Sequence, residues 1–147
     1  MKTSIITLLL IASSYTTFAQ KGSAILGRWL NQDKDGQVEI YKNGDQYFGK
    51  IVWLKNPTDS QGKPQTDKKN PATALCSRQI LGLEVLKNFV CKTPETYVNG
   101  TSYNPKRAMT FNCRIAISDS TLKISAYMGI ITLGSEVWTR VKPEQKQ

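Results

Sequence analysis

Gly27-Arg28-Trp29 opens the body of this chain and Trp138-Thr139-Arg140 all but closes it. Between them almost every segment reads as a short strand. In a closed antiparallel barrel the first and last strands pair, so an Arg near the end of the last strand can stack on a Trp of the first. Trp29 and Arg140 are therefore expected to close one end of a barrel.

Working outward, Gly27 to Gln32 reads as the first strand and Asp33-Lys34-Asp35-Gly36 as a turn. Val38 to Lys42 follows, and Asn43-Gly44 signals a hairpin because both residues tolerate positive φ. Gln46 to Leu54 is the third strand, with Tyr47, Gly49, Ile51 and Trp53 on one face. Lys55 to Gln79 is too long for a hairpin loop and is expected to be a partly mobile excursion at one barrel mouth.

Ile80 to Lys87 is the fourth strand, since Gly82 argues against the helix its apolar spacing also fits. Thr96 to Tyr103 is the fifth, with a bend at Asn99-Gly100. Met109 to Ile117 is the sixth; Met109, Phe111, Cys113, Ile115 and Ile117 share a face. Thr121 to Tyr127 is the seventh, with Leu122, Ile124 and Ala126 inward. Gly129 to Gly134 links it to the eighth, Ser135 to Val141. Eight strands in sequence order predict an all-β fold, an eight-stranded antiparallel up-and-down barrel. A two-sheet sandwich is the alternative.

The first residues read as a secretory signal: Lys2, an apolar run from Ile5 to Ala12, and small residues at Thr17-Phe18-Ala19. Cleavage before Gln20 is expected, leaving a single domain over 20–147 whose last residues, 142–147, form a disordered tail. No second apolar stretch follows that could span a membrane as a helix. The protein is therefore expected in the periplasm or outside the cell.

The chain has 20 basic and 11 acidic residues. The basic residues are dispersed, and the aromatics sit in strand-like segments rather than among them. That argues against a nucleic-acid binder. The chain contains no His. An imidazole base or ligand is thus excluded, and no catalytic motif or cofactor-binding set takes its place. Cys76, Cys91 and Cys113 lack the spacing of a zinc site. In an exported protein any two of them could pair, and spacing does not choose which.

The stretches Gly27-Arg28-Trp29, Tyr47-Phe48-Gly49-Lys50-Ile51-Val52, Asn56-Pro57, Ile80-Leu81-Gly82-Leu83-Glu84-Val85-Leu86, Tyr103-Asn104-Pro105 and Trp138-Thr139-Arg140 stand in the order of a bacterial exported family. The chain resembles the domain-of-unknown-function family numbered 2147. The resemblance implies a lipocalin-like (calycin) barrel, export through a bacterial inner membrane and no established activity. One departure is Ser125-Ala126, where the family tends to carry Arg-Gly.

Such a barrel can be filled by side chains or can hold one small ligand. Trp53, Tyr97, Tyr103 and Phe111 are the candidate cavity lining. The expected role is a monomeric, non-catalytic binding module for a small apolar or amphipathic molecule in the cell envelope. The alternative is a packed-core domain that docks an envelope protein through the 55–79 loop.

Overall fold

A computed structural model describes residues 22–143. The expected signal sequence and residues 144–147 of the expected tail lie outside them. Eight strands close an antiparallel barrel in sequence order, β1 through β8. They are β1 (Gly27–Leu30), β2 (Gly36–Asn43), β3 (Gln46–Leu54), β4 (Glu84–Thr93), β5 (Thr96–Asn104), β6 (Met109–Ser118), β7 (Thr121–Met128) and β8 (Ile131–Arg140). The sandwich alternative is thereby excluded. Among the described residues no helix is long and apolar enough to cross a membrane.

The two barrel ends differ. At one end the connections are short: Gly44–Asp45, Pro94–Glu95 and Asp119–Ser120 each join strands through two residues. Gly44 and Asp119 supply the positive φ that such turns require. The segment before β1 folds over this end and plugs it. Ile25 is fully buried there, and its carbonyl accepts from the Trp29 Nε1 at 2.8 Å. The Arg140 guanidinium lies 4.1 Å from the Trp29 ring centroid. It donates to the carbonyls of Leu26, at 2.9 Å, and Ala24. Tyr47 and Tyr97 meet edge-to-face beside this plug, with centroids 5.0 Å apart.

The other end is a mouth, edged by the β1–β2 and β5–β6 turns, the 55–83 connection and the β7–β8 hairpin. The seam between β1 and β8 is short: Trp29 pairs with Arg140 and Leu30 with Thr139. Beyond it β8 is paired only with β7, and on its other side the Gln32 side chain accepts from the Val137 N–H at 3.0 Å. The hairpin tip projects Met128, Ile130 and Ile131 into solvent.

Three irregularities decide which side chains face inward. Across β2, Val38 pairs with Ile51 but Gln37 pairs with Trp53, so Val52 is an extra residue. In β4, Asn88 takes φ 61° and both Leu86 and Phe89 turn inward. In β5, Asn99 takes φ 62° and both Tyr97 and Gly100 turn inward. Each is a bulge that breaks simple alternation. The fourth strand thus begins later than expected and runs further, to Thr93. Ile80 to Leu83 is a turn, with Gly82 at φ 86°. The eighth strand begins at Ile131, not Ser135.

The 55–79 segment is tied down rather than loose. Bridges join Thr58 to Pro64 and Thr66 to Gln79, and Thr73–Leu75 forms a 3-10 turn. Its anchor is Asp67, a buried carboxylate. Asp67 accepts from Arg78 Nη2 at 2.7 Å, Asn70 Nδ2 at 2.8 Å and Tyr103 Oη at 2.8 Å. The excursion is thereby fastened to the end of β5.

Candidate ligand-binding cavity

Inward residues above the plug do not fill the barrel. A cavity of about 710 Å³ opens at the mouth, within the size range of small-molecule sites. Its wall is mostly apolar and includes Val38, Ile51, Val85, Phe111, Ile124 and Trp138. Small inward residues leave the room. Cys113, Ala126 and Gly134, paired in register across β6, β7 and β8, line the cavity with little bulk, whereas Gly49 serves close packing instead. A Cβ on Gly49 would come within 2.9 Å of Val38 Cγ1.

The rim is charged. Lys106, on the β5–β6 turn, reaches the β1–β2 turn on the opposite side of the barrel. Its Nζ lies 2.9 Å from Asp33 Oδ2 and 2.6 Å from Asp35 Oδ2. These ion pairs strap the mouth. Burial tends to raise the Asp35 carboxyl, but hydrogen bonds from Lys106 and Asn31 outweigh it and hold the pKa below its ordinary value. The same carboxylates raise the Lys106 ammonium. Lys68 pairs with Asp59 at 3.3 Å, and Lys69 donates to the Lys106 carbonyl at 3.2 Å.

The four candidate lining residues separate. Phe111 lines the cavity, and Tyr103 stands at its rim with its hydroxyl on Asp67. Trp53 does not line it. The Val52 bulge turns Trp53 outward, 40% exposed, and Leu54 takes the inward place. Tyr97 does not line it either. It is fully buried at the plugged end, where its hydroxyl donates to the Pro94 carbonyl at 3.3 Å.

The three cysteines stand apart, each unbonded. Cys113 faces the cavity from β6. Cys91 lies at the plugged end, near Gly22 and Tyr47. Cys76 follows the 3-10 turn of the excursion and donates to the Asn70 carbonyl at 3.3 Å. These positions occupy three different regions of the fold. Burial pushes the Cys113 thiol up to about 11.

The sequence reading treats Glu136 as a solvated strand position, and the residue is exposed; what that reading misses is that Glu136 also lines the cavity. Glu136 pairs in register with Ile124, an inward residue of β7. Cross-strand partners share a face, so Glu136 points inward with Trp138. Its Oε2 accepts from Trp138 Nε1 at 3.1 Å. The signal was present: Glu136 and Trp138 are two apart on one strand.

The fold recurs in a solved structure described as "Protein HP1028 from the human pathogen Helicobacter pylori belongs to the lipocalin family". The likeness has a TM-score of 0.71 at 20% identity, covering 82% of this chain and 84% of that one. No curated protein matches the chain. Residues 27–140 match the family described as "Uncharacterized protein conserved in bacteria (DUF2147)". The match covers most of the chain and spans β1 to β8, so the protein belongs to that family.

Proposed function

We propose that this protein is an exported, non-catalytic binding module that holds one small amphipathic molecule inside its barrel. The observation that carries the reading is the cavity: one end plugged by the Ile25–Trp29–Arg140 packing, the other open through a charged rim. An apolar wall below a polar mouth suits a molecule with an apolar body and a polar head. The lack of His supports a role without acid–base chemistry. Export, and residence in the envelope, are supported by the N-terminal pattern of Lys2 and the Ile5–Ala12 run.

Filling the cavity from its own wall tests the reading. Ala126→Phe adds a ring to the inward face of β7 while leaving the plug untouched. Displacement of a fluorescent apolar probe by decanol should be seen with the native chain and lost in the variant, with the far-ultraviolet spectrum unchanged. Equal probe binding by both proteins would place the probe elsewhere and contradict the proposal.

A further inference from the structure

The apolar wall carries one inward carboxylate, and it has no cation. Among the described residues, no Lys or Arg nitrogen lies within 4.0 Å of Glu136. Its one side-chain partner is the Trp138 indole. Ile124 stands opposite it on β7 and Trp138 bonds it from the same strand, and neither can neutralise a charge. Three rim lysines already have partners, while Arg107, on the β5–β6 turn at the rim, makes no ion pair among the described residues. Lys106 holds Asp33 and Asp35, Lys68 holds Asp59, and Lys69 holds a backbone carbonyl.

In the open cavity, water can solvate Glu136. A ligand whose apolar body fills the barrel displaces that water. The carboxylate then loses its solvation unless the ligand replaces it. A ligand ammonium replaces it with a charge-assisted hydrogen bond. A hydroxyl replaces it in part. A ligand carboxylate adds like-charge repulsion once its apolar body has displaced the cavity water.

We infer that Glu136 selects the ligand, and that the cavity takes an amphipathic cation: an amine whose apolar body lies against Val38, Ile51 and Phe111. This rests on the cavity-binding reading and adds the head group to it. Trp138 is the positioning residue. Its indole N–H holds one carboxylate oxygen and leaves the other free for the ligand.

The test uses three ligands with one ten-carbon chain: decylamine, decanol and decanoate, each below its micellar concentration. Binding to the mature chain is followed by calorimetry at pH 7. The amine should bind at least about tenfold more tightly than the alcohol, and the acid most weakly. Glu136→Gln should remove that preference, weakening the amine about tenfold or more and leaving the alcohol within about threefold. Alcohol binding with no preference for the amine, or with a preference for the acid, overturns the selection and keeps the cavity reading. No binding of any of the three overturns both. The native chain's head-group series is informative on its own should the variant fail to fold.

Discussion

Asp67 shows what one buried side chain does for this molecule. It is almost fully removed from water, yet three donors converge on it from Asn70, Arg78 and Tyr103. Burial alone would raise its pKa; the hydrogen bonds outweigh burial and lower it. A carboxyl with a lowered native pKa stabilises the fold fully above its unfolded value, about pH 4. That contribution fades as pH falls through the native pKa. Asp67→Ala should cost about 2–3 kcal/mol at neutral pH, since it strands an arginine and a tyrosine hydroxyl. Urea midpoints measured at pH 7 and pH 3 check this, and the difference between the two proteins should shrink at the lower pH. An unchanged midpoint at pH 7 would remove the anchor from the account. Cys113 gives a second prediction. With its thiol buried and pushed up to about 11, it should resist iodoacetamide at pH 8 until the protein is unfolded, and intact mass should show three thiols. Rapid native labelling of Cys113, or a two-hydrogen deficit, would contradict its placement. The burial of Cys113 was legible, because it shares the apolar face of its strand with Phe111, Ile115 and Ile117; the role of Asp67 was not. An Asp within a Lys- and Pro-rich stretch reads as solvated, because burial comes from Arg78 and Tyr103, 11 and 36 residues away.

At the scale of elements, the bulges set both what the sequence revealed and what it hid. The sixth strand alternates and was legible almost residue for residue; the bounds of the third were legible too, but not its inward face, because both of its faces carry bulky apolar groups. The fourth was misplaced because Asn88 at φ 61° puts Leu86 and Phe89 inward at a spacing of three, which imitates a helix. The same effect misassigned Trp53, which sits one residue past the Val52 insertion. The bulges also enable close packing. Gly100 faces the Phe89 ring, and a Cβ there would overlap it. Gly100→Ala should therefore destabilise by about 2–3 kcal/mol, with much of the loss recovered when Phe89→Leu is added. Additive losses in thermal unfolding would show that the two residues do not oppose each other. The mouth strap behaves differently. Lys106, Asp33 and Asp35 are partly exposed, so Lys106→Ala should cost less than about 1 kcal/mol. Its effect belongs to exchange. Probe dissociation, measured by stopped flow, should quicken with added salt in the native chain and be fast and salt-insensitive in the variant. Equal rates at low salt would mean that the strap does not guard the mouth.

At the scale of the whole molecule, the Trp29–Arg140 bracket was the most readable feature, because it links the two ends of the chain by residue type alone. Closure and strand order followed from it. The cavity did not. Its existence depends on inward Cys113, Ala126 and Gly134 coinciding at one level of the barrel, and that coincidence is set by register rather than by any single strand. A plug at one end, an apolar wall and a strapped mouth then make a container with one entrance. The most direct measurement is native mass spectrometry of the mature protein purified from its own cells. The account predicts an added mass, within the range a cavity of about 710 Å³ can hold, that departs on denaturation and carries a basic nitrogen. A bare polypeptide mass from the native source, unchanged when decylamine is supplied, would contradict it.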